Sequence, residues 1–505
     1  MKHSILALLC VVGLWACDAQ DAPATGLKAP SPVAAAAHEP TVAPEKAPDP
    51  QAPKPARAEV PLYEQSTLFY GVYLNAHKTG WMKVEMIPSD SQVVLRTHLE
   101  AKVGGMGKVS RVVLDETRTY DRKTEALTKL SFEQGAETGS VRVEAKRDEK
   151  GALQLVVNAG SALTSHTVTT QETLSDAIAV RKLAREGALG KKVVVQQFDP
   201  SAMKTMKVEH TLVAAEKKMF GGVEVPFLQI ETNYVDMGVL ENSWADATGR
   251  LFEAKVGGFF TARLESEKEA KRQDYTQDLL VSAVVKPPAP IPNQDKIEKL
   301  EITMQGFGKV LPPASKRQAV AQESGNVVLT LSKDGPLPTT SLPEKAEGEY
   351  TKSTPFIQAE NPQIQLMARK VIGDATTMDV AVSRLVKFVY NHVKDSYVPS
   401  FSNSLEVLQS QRGDCTEHSV LFVGLARALN IPARVAVGIG YWPAGEGFGW
   451  HAWAEVQADG KWYTVDPTWN QVNADATHIK LADGDPMQQA RIVMLLGKLS
   501  ILKVN

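Results

Sequence analysis

The sequence predicts an α+β protein, with an N-terminal antiparallel β-rich domain followed by a C-terminal domain that mixes helices and strands. Three observations support this class. Alternating apolar and polar residues recur between residues 62 and 284, helical periodicity begins only near residue 355, and a proline-rich stretch at 286–296 separates the two patterns. A chain of 505 residues is long enough for two or three domains.

The first 17 residues, MKHSILALLCVVGLWAC, combine a short basic start with an apolar run that is too short to cross a bilayer. The residues LWAC at 14–17 resemble a bacterial lipoprotein signal, in which Cys17 would be lipidated. An ordinary secretory signal and an uncleaved anchor are the alternatives. We therefore expect an exported lipoprotein that faces the periplasm or lies in the cell envelope. Asp18 favours retention in the inner membrane, but the sequence does not decide which of the two membranes would hold the lipid anchor.

Residues 18–61 contain ten of the 29 prolines and few large apolar residues. Such a segment cannot bury a core, so we expect a disordered tether that spaces the domains from the membrane. The net charge of the whole chain is −2, with both signs mixed. The charge pattern therefore gives no reason to expect a nucleic-acid partner.

The β-rich domain at 62–284 is predicted as an antiparallel meander, in the form of a sandwich or an open barrel. Its clearest strands are SVRVEAK (140–146), LQLVVNA (153–159), KVEHTLV (207–213) and VEVPFLQIET (223–232). One helix is expected at 174–187, with Ser175 as its N-cap and Gly187 as its stop. No motif in this domain carries chemistry, so it is interpreted as a binding or spacing module whose partner is unknown.

A linker at 285–297 leads to a short β segment at 298–354, which includes the strand NVVLTLS (326–332). The C-terminal domain is then predicted over 355–505. Its first three helices are expected at 361–373, 377–395 and 404–410, because their apolar residues recur at helical spacing.

Cys415 raises the central question, since the other two cysteines, Cys10 and Cys17, both lie in the signal region. If Cys10 is removed and Cys17 is lipidated, Cys415 is the only thiol of the mature protein, and an intramolecular disulfide is impossible. A buried, inert cysteine is the alternative interpretation. The polar flanking sequence RGD-C-TE (412–417) predicts a poor environment for a core cysteine.

Apolar residues at helical spacing place a helix directly after Cys415, ending before Asn430 and Pro432. A cysteine at a helix N-terminus experiences the positive end of the helix dipole and nearby N–H groups, which favour its thiolate form. The same N–H groups can stabilise an oxyanion.

The segments WHAWAEV (450–456) and KWYTVDPT (461–468) are predicted to form a hairpin. A loop at Ala458-Asp459 puts His451 directly opposite Asp466. A loop at Asp459-Gly460 shifts the register by two residues and keeps both on one face, whereas a three-residue loop would separate them. Cys415, His451 and Asp466 could then act as nucleophile, base and orienting acid.

A zinc site is the rival interpretation, because Cys415 and His418 are spaced so that both could ligate one ion from a helix, together with His451 and Asp466. The orienting role explains His451 and Asp466 without a metal. We therefore expect no metal and no cofactor, and we interpret His418 as a surface or supporting residue.

The three segments GDCTEHSVLFVGLARALNIPARVAVGIGY, HAWAEV and WYTVDPT, in this order, resemble the core motifs of the transglutaminase-like superfamily, a branch of the papain-like cysteine-enzyme fold. The resemblance covers about 355–475. It implies that Cys415 is the nucleophile, His451 the base and Asp466 the orienting acid. It also suggests Gln409, or else Gln411, as an oxyanion donor. Cross-linking members often carry glutamine directly before the cysteine, where this chain has aspartate.

Four aromatic residues close to these motifs are candidates for the substrate cleft, although a packing role is the alternative for each: Tyr441, Trp442, Trp450 and Trp453. The predicted function is an envelope cysteine enzyme that acts on amide bonds of proteins or peptides through a thioester, with water as the acceptor. Amine transfer, which would cross-link proteins, is the first alternative. A non-catalytic scaffold is the second, and a redox sensor at Cys415 would lack a resolving cysteine.

Overall fold

The computed structural model describes residues 61–505, apart from gaps at 75–76, 106–107, 137–138, 160–161, 221, 258–259, 273–283, 309, 346, 397–402 and 485–488. The predicted signal segment with Cys10 and Cys17, and the tether up to residue 60, lie outside the described residues. In the part of the chain that is described, no helix has both the length and the apolarity needed to cross a membrane.

The N-terminal region forms one continuous antiparallel sheet of fourteen strands. These strands are β1 (Ser66–Leu74), β2 (His77–Pro88), β3 (Gln92–Gly105), β4 (Lys108–Asp121), β5 (Leu127–Ala136), β6 (Gly139–Arg147), β7 (Leu153–Ala159), β8 (Ala162–Val168), β9 (Lys192–Asp199), β10 (Lys204–Phe220), β11 (Val223–Tyr234), β12 (Val239–Ala245), β13 (Leu251–Val256) and β14 (Phe260–Glu265).

Two meanders build this sheet. The strands β1 to β8 follow one another across it, and β9 to β14 form a second meander whose last strand pairs with β1. The alternation that predicted the strands is visible in β7, where Leu153, Leu155 and Val157 are buried and Val156 is 43% exposed. The predicted antiparallel meander is therefore confirmed.

The helical interruption consists of two short helices, α1 (Leu174–Ala177) and α2 (Ala179–Glu186), and Gly187 ends the second with φ of 64°. Ser175 was the wrong N-cap. Thr173 caps α1, because its side chain and that of Asp176 exchange hydrogen bonds with the backbone in a capping box. The hydroxyl of Ser175 instead donates to Glu125. A further short helix, α3 (Glu267–Ala270), follows β14.

A separate four-stranded sheet joins the segment after the linker to the end of the chain. It contains β15 (Lys299–Gln305), β16 (Gln318–Glu323), β17 (Asn326–Ser332) and the last strand of the chain, β24 (Ser500–Val504). Because β24 pairs with β15, the segment predicted as a short β unit shares its sheet with residues nearly 200 positions later in the sequence.

The C-terminal region contains four helices: α4 (Pro362–Ile372), α5 (Met378–His392), α6 (Ser404–Ser410) and α7 (Cys415–Ala428). Its antiparallel sheet has the order β22–β21–β20–β23, with strands β20 (Ala433–Trp442), β21 (Gly447–Ala458), β22 (Lys461–Val465) and β23 (Ile479–Asp483). The two-residue strands β18 (Lys394–Asp395) and β19 (Arg412–Gly413) pair in parallel just before α7.

Helix α7 lies at the centre of this region, against β20 and β21 on one side and α4, α5 and α6 on the other. Every residue from Cys415 to Arg427 is buried, which explains why the helix is apolar around most of its circumference. On β20, a Cβ atom at Gly438 would lie 1.9 Å from the carbonyl oxygen of Ile479, so the close pairing of β20 with β23 requires glycine there.

Candidate active site

The turn before Cys415 is a capping box. Asp414 is the N-cap of α7, and its carboxylate accepts a hydrogen bond from the Thr416 amide at 2.8 Å, while Glu417 accepts one from the Asp414 amide at 2.9 Å. A Cβ atom at Gly413 would lie 2.1 Å from Cβ of Glu417. Glycine is therefore required there for the Glu417 side chain to reach the Asp414 amide. The residues of Gly-Asp-Cys-Thr-Glu therefore fix where the helix begins.

The expectation that these flanks make a poor core environment was wrong. Cys415 is 1% exposed, and its neighbours Asp414, Thr416, Glu417 and His418 are also buried. The polar groups can be buried because they bond to one another and to the backbone. The interpretation of His418 as a surface residue was wrong for the same reason, since its Nδ1 lies 2.7 Å from the Asp414 carbonyl oxygen.

Burial also changes the protonation of this turn. Burial, and then the neighbouring Asp414, raise the pKa of Glu417 well above its usual value. Burial lowers the pKa of His418, which favours its neutral form. The amides of Thr416 and Glu417 are already bonded to Asp414, so these two groups are not available to an oxyanion.

The sulfur of Cys415 faces strand β21. The amide of Ala452 donates to Sγ at 3.3 Å, which places the sulfur next to the backbone of the residue that follows His451. On the other side of the imidazole, Nε2 of His451 lies 2.6 Å from Oδ2 of Asp466. The contact with Asp466 is therefore made by Nε2, and Nδ1 is the other ring nitrogen of His451.

The hairpin loop that brings His451 and Asp466 together is Asp459-Gly460. Ala458 pairs with Lys461, and Asp459 and Gly460 both have positive φ, at 50° and 72°, as a tight hairpin turn requires. The loop at Ala458-Asp459 was therefore the wrong alternative. The observed register keeps His451 and Asp466 on the same face, one step diagonal from directly opposite.

Asp466 is completely buried and accepts four hydrogen bonds. Oδ2 is shared by Nε2 of His451 and Nε2 of His478, at 2.6 and 3.1 Å, and Oδ1 accepts from the amides of Thr468 and Trp469 at 2.8 and 3.1 Å. Burial alone would raise the pKa of Asp466, but the two histidines outweigh it and hold the pKa well below its usual range. These contacts favour the ionised form of Asp466.

His478 is a member of the site that the sequence did not reveal. Its side chain is buried between Asp466 and Asp475, with Nδ1 at 3.3 Å from an Asp475 carboxylate oxygen. Burial lowers the pKa of His478, but Asp475 and Asp466 outweigh this and raise it to about 9. The only local signal was Asp475 three residues earlier, in DATH (475–478), and that spacing is too common to identify a site.

A tryptophan that follows Asp466 covers the base. Trp469 stacks on His451 with the ring centres 4.1 Å apart and the planes within 12°, and it is partly exposed. Gly440 leaves room for this stack, because a Cβ atom there would lie 2.8 Å from the Trp469 ring and 3.3 Å from the His451 ring. Trp469 was not among the predicted cleft residues.

The structure separates the predicted aromatic cleft residues into two pairs. In the pairing of β20 with β21, Gly438 lies opposite His451, so Trp442 and Trp453 lie on the His451 face while Tyr441 and Trp450 lie on the other. Trp453 is buried edge-on against His478, with ring centres 5.1 Å apart. Trp442 is partly buried.

The two aromatics on the far face have packing roles. The hydroxyl of Tyr441 accepts a hydrogen bond from the Ile291 amide at 2.8 Å, and its ring packs against Phe448. Tyr441 therefore fixes the linker to β20 rather than lining a cleft. Trp450 is buried in the core.

Gln409 is not placed as an oxyanion donor. Its side chain is exposed on α6 and its amide donates to Gln363 of α4 at 3.1 Å. Gln411 is the C-cap of the same helix, with φ of 56°, and is also exposed. Both side chains are thus exposed, whereas Cys415 is buried.

The other motif residues hold the sheet together. Glu455 accepts hydrogen bonds from Arg434 at 2.7 Å and from Lys480 at 2.9 Å, and both cations also reach Asp483 of β23. The guanidinium of Arg434 lies 4.0 Å from the centre of the Trp462 ring. This cluster ties β20, β21 and β23 into the scaffold that carries His451.

One group of side chains could in principle hold a metal ion. Among the described residues, the ligating atoms of His451, Asp466 and His478 lie within 4.8 Å of one another. The separations of 2.6 and 3.1 Å from Asp466 to the two histidines are those of hydrogen bonds. Ligands at about 2.0–2.1 Å from a tetrahedral zinc ion would be farther apart, at roughly 3.3 Å. The rival zinc interpretation from the sequence used Cys415 and His418 in place of His478. Nδ1 of His418 lies 2.7 Å from the Asp414 carbonyl oxygen.

Comparisons with known proteins find one family model that matches part of the C-terminal region. The model of the transglutaminase-like superfamily matches residues 365–467. No curated protein matches the chain.

Three solved structures are similar to parts of the chain. A protein from Cytophaga hutchinsonii named a "putative cysteine protease" shares 17% identity over 41% of this chain and 84% of its own, with a TM-score of 0.28. A "beta-barrel-like protein" of a domain of unknown function from Brucella abortus shares 15% identity over 40% of this chain and 96% of its own, with a TM-score of 0.31. A "putative protease" from Parabacteroides distasonis shares 11% identity over 75% of this chain and 70% of its own, with a TM-score of 0.19.

The family match spans the start of α4 to the end of β22, and thus includes Cys415, His451 and Asp466. The similarity to the transglutaminase-like superfamily is therefore a match over residues 365–467.

Proposed function

We propose that this protein is a cysteine enzyme that cleaves amide bonds of proteins or peptides through a thioester on Cys415, with water as the final acyl acceptor. One observation carries the proposal. The sulfur lies 3.3 Å from the amide that follows His451, and His451 is held by Asp466 at 2.6 Å. A nucleophile beside a base, with the base fixed by a buried carboxylate, is the arrangement that covalent acyl transfer needs.

In the first step, Nδ1 of His451 takes the thiol proton and Sγ of Cys415 attacks the amide carbonyl carbon. The C–N bond of the tetrahedral intermediate then breaks, and His451 returns the proton to the leaving amine. Asp466 keeps Nε2 of His451 protonated, so that Nδ1 is the basic nitrogen. The Ala452 amide supports the negative charge on sulfur before attack.

In the second step, His451 removes a proton from water, which attacks the thioester and releases a carboxylic acid and the Cys415 thiol. Water is present at roughly 55 M, so an amine acceptor competes only where a dedicated site excludes water. Amine transfer, and hence cross-linking, remains the alternative outcome of the same thioester.

The place of action is the cell envelope. The pattern of residues 1–17 supports export and a lipid anchor on Cys17. Substrates would then be envelope proteins or peptide-containing envelope polymers. Replacing Cys17 with Ala should move the protein from the membrane fraction to the soluble fraction of the expressing bacterium. An unchanged membrane fraction would contradict the anchor but not the chemistry.

The reactivity of Cys415 tests the chemistry. The full chain is reduced, desalted and treated with iodoacetamide between pH 4 and 9, and alkylation of Cys415 is followed by peptide mass spectrometry. We expect a midpoint well below the value of about 8.5 typical of a free thiol. Replacing His451 with Ala should move the midpoint upward. The matched control is His210→Gln, since His210 is equally buried but lies in the large sheet.

Two results would count against an enzyme. If the alkylation midpoint of Cys415 is that of an ordinary thiol and does not change in His451→Ala, Cys415 is a structural thiol. Reaction only after unfolding would mean that the buried sulfur is not available to a substrate. Either result would favour a binding scaffold.

The acceptor is tested with reporter peptides in the presence and absence of a fluorescent primary amine. Release of a new carboxylate without amine incorporation supports hydrolysis, whereas incorporation supports amine transfer. Both products should disappear in Cys415→Ala. A Cys415 acyl adduct, detected by mass spectrometry after rapid acid quenching, would identify the thioester.

A further inference from the structure

Two histidines share one oxygen of Asp466. His451 approaches Oδ2 at 2.6 Å and His478 approaches the same atom at 3.1 Å, and the two imidazole ring centres are 5.7 Å apart. Both side chains and the carboxylate are buried. The carboxylate that would orient the base therefore has a second imidazole bonded to it, which a nucleophile–base–acid set does not require.

His478 is held in this position from its other side. Nδ1 lies 3.3 Å from both the carbonyl oxygen and a carboxylate oxygen of Asp475, and Asp475 is in turn fixed by the Thr477 amide at 2.8 Å and the Gln471 side chain at 2.9 Å. With acceptors on both ring nitrogens, both must carry protons. The geometry thus describes an imidazolium between two carboxylates.

The charged and titratable groups around His478 come from several elements. Asp466 follows β22, His451 lies on β21, and Asp475 precedes His478 in the loop before β23. His418 of α7 also experiences the charge of Asp466, but burial lowers its pKa, which favours its neutral form. The rings of Trp453 and Trp469, which pack against His478, carry no charge. Lys480, two residues later on β23, is bonded to Glu455.

We infer that His478 is a positioning residue for the proposed reaction, which fixes Oδ2 of Asp466 and, by its positive charge, limits how strongly Asp466 stabilises a protonated His451. This inference rests on the proposed function, since it concerns the base that would serve Cys415. A base that is too strongly stabilised by its carboxylate would keep the proton that the leaving amine needs. His478 is thus a second cation competing for one anion.

The charge of His478 has a defined pH range. Asp475 and Asp466 raise the pKa of His478 to about 9, so that it stays positive through the neutral range. Without this charge, protonated His451 is the one histidine cation that the Asp466 carboxylate stabilises. His451 should then hold its proton to higher pH, by about one pH unit, because a cation near a second cation disfavours protonation.

The direct test is a histidine NMR titration of the full chain with ¹⁵N-labelled histidine, from pH 5 to 10. The background is Cys415→Ala, which removes any coupling to the thiol. His478→Gln keeps an N–H donor near the Nε2 position but loses the charge. We expect the His451 titration midpoint to rise by about one pH unit in His478→Gln. His451→Gln assigns the His451 signal, and His210→Gln is the matched control that should change nothing.

Two results would overturn the inference, and two further variants support the test. An unchanged His451 midpoint in His478→Gln, or an equal change in His210→Gln, overturns the inference. If His478→Gln does not fold, Asp475→Asn replaces it, because loss of the Asp475 charge lets His478 lose its proton at lower pH and should raise the His451 midpoint in the same direction. His478→Ala separates the two roles, since it loses the donor as well as the charge.

The reaction itself gives the second measurement. With Cys415 intact, the alkaline limb of the pH profile for reporter-peptide cleavage, where His451 loses the proton that it must give to the leaving amine, should move upward in His478→Gln. A residue that only stabilises the fold would lower the yield of protein without moving this limb. If Cys415 proves an ordinary thiol while the His451 midpoint still moves, the proposed function fails and the coupling to His478 stands. If Cys415 is activated and neither readout moves, the inference alone fails.

Discussion

The large N-terminal sheet and the C-terminal domain each bury a network of charged side chains, and the two networks differ in what they can do. In the sheet, Arg118 donates to Glu116 at 2.6 Å and to Glu172 at 2.9 Å, and it also reaches the Phe198 carbonyl oxygen. All three charged side chains are buried. An arginine does not lose its proton in proteins, so the cation of this network does not exchange protons near neutral pH.

The C-terminal network of Asp466, Asp475, His451 and His478 is equally buried but contains imidazoles, which can exchange protons in that range. It also lies beside the sulfur of Cys415. Buried charge is therefore no sign of function by itself. The chemical identity of the cation, and a nucleophile next to it, make the difference between a structural network and a candidate active site.

The largest expected effect is on reactivity. Asp466→Asn should lower the rate of the Cys415 reaction by about 10⁴-fold, because an amide favours the wrong tautomer of His451. The rate of peptide cleavage measures this. The corresponding change in the sheet network, Glu116→Gln, should leave this rate unchanged. A loss of less than tenfold in Asp466→Asn would remove the distinction between the two networks.

The second effect is on stability, and it concerns the sheet. Arg118→Met should destabilise the N-terminal region by about 3–5 kcal/mol, because Glu116 and Glu172 would remain buried without a cation. Hydrogen exchange measured by mass spectrometry should show faster exchange in β4 and unchanged exchange in α7. Arg142→Met is the matched control, since the Arg142–Glu133 pair is exposed and its loss should have little effect.

The third effect is a difference in pH dependence. The folded pKa of His478, about 9, lies above its ordinary value of 6.5. Its contribution to stability is therefore fully present below about pH 6.5 and is lost as the pH rises through about 9. Hydrogen exchange in α7 and β21 should accelerate above pH 9 beyond the intrinsic chemical rate, while β4 should not follow. Equal acceleration in both regions would contradict the comparison.

A smaller effect is expected at Gly440, which leaves room for the stack of Trp469 on His451. In Gly440→Ala, the added methyl group should displace the Trp469 ring and lower the Cys415 reaction rate by about tenfold, with the fold retained. Gly460→Ala is not a suitable control because of its positive φ. Ala458→Gly in the same hairpin tests whether strand flexibility alone changes the rate, and an equal loss there would contradict the role of Gly440.

The smallest effect concerns Glu406, a partly buried carboxyl for which the described part of the chain shows no ion pair. Burial raises the pKa of Glu406 on α6 to about 7, and its Oε2 has no hydrogen-bond partner among the described residues. A raised carboxyl pKa means that stability falls as the pH rises from about 4.5 to 7. Glu406→Met should therefore raise the unfolding free energy by about 1 kcal/mol at pH 8 and by less at pH 5. The reverse order would mean that Glu406 has a stabilising partner when ionised.

Local sequence patterns were sufficient for most elements. The strands 153–159 and 326–332 and the helix 404–410 have the predicted bounds, and the antiparallel meander follows from period-two alternation. Turn chemistry allowed two hairpin loops, and both kept His451 and Asp466 on one face. These features depend on neighbours in the sequence, so the sequence carries them.

The sequence by itself thus determined the elements, the order of the two regions, and the placement of Cys415 at a helix start and His451 and Asp466 on a hairpin. Only the tertiary structure decided that the Cys415 turn is buried, that Gln409 faces outward, that Tyr441 and Trp450 lie on the far face, and that β24 returns to β15. It also brought His478 to Asp466. The physical reason is that burial and contacts between distant segments depend on how elements pack, and no local spacing encodes that packing.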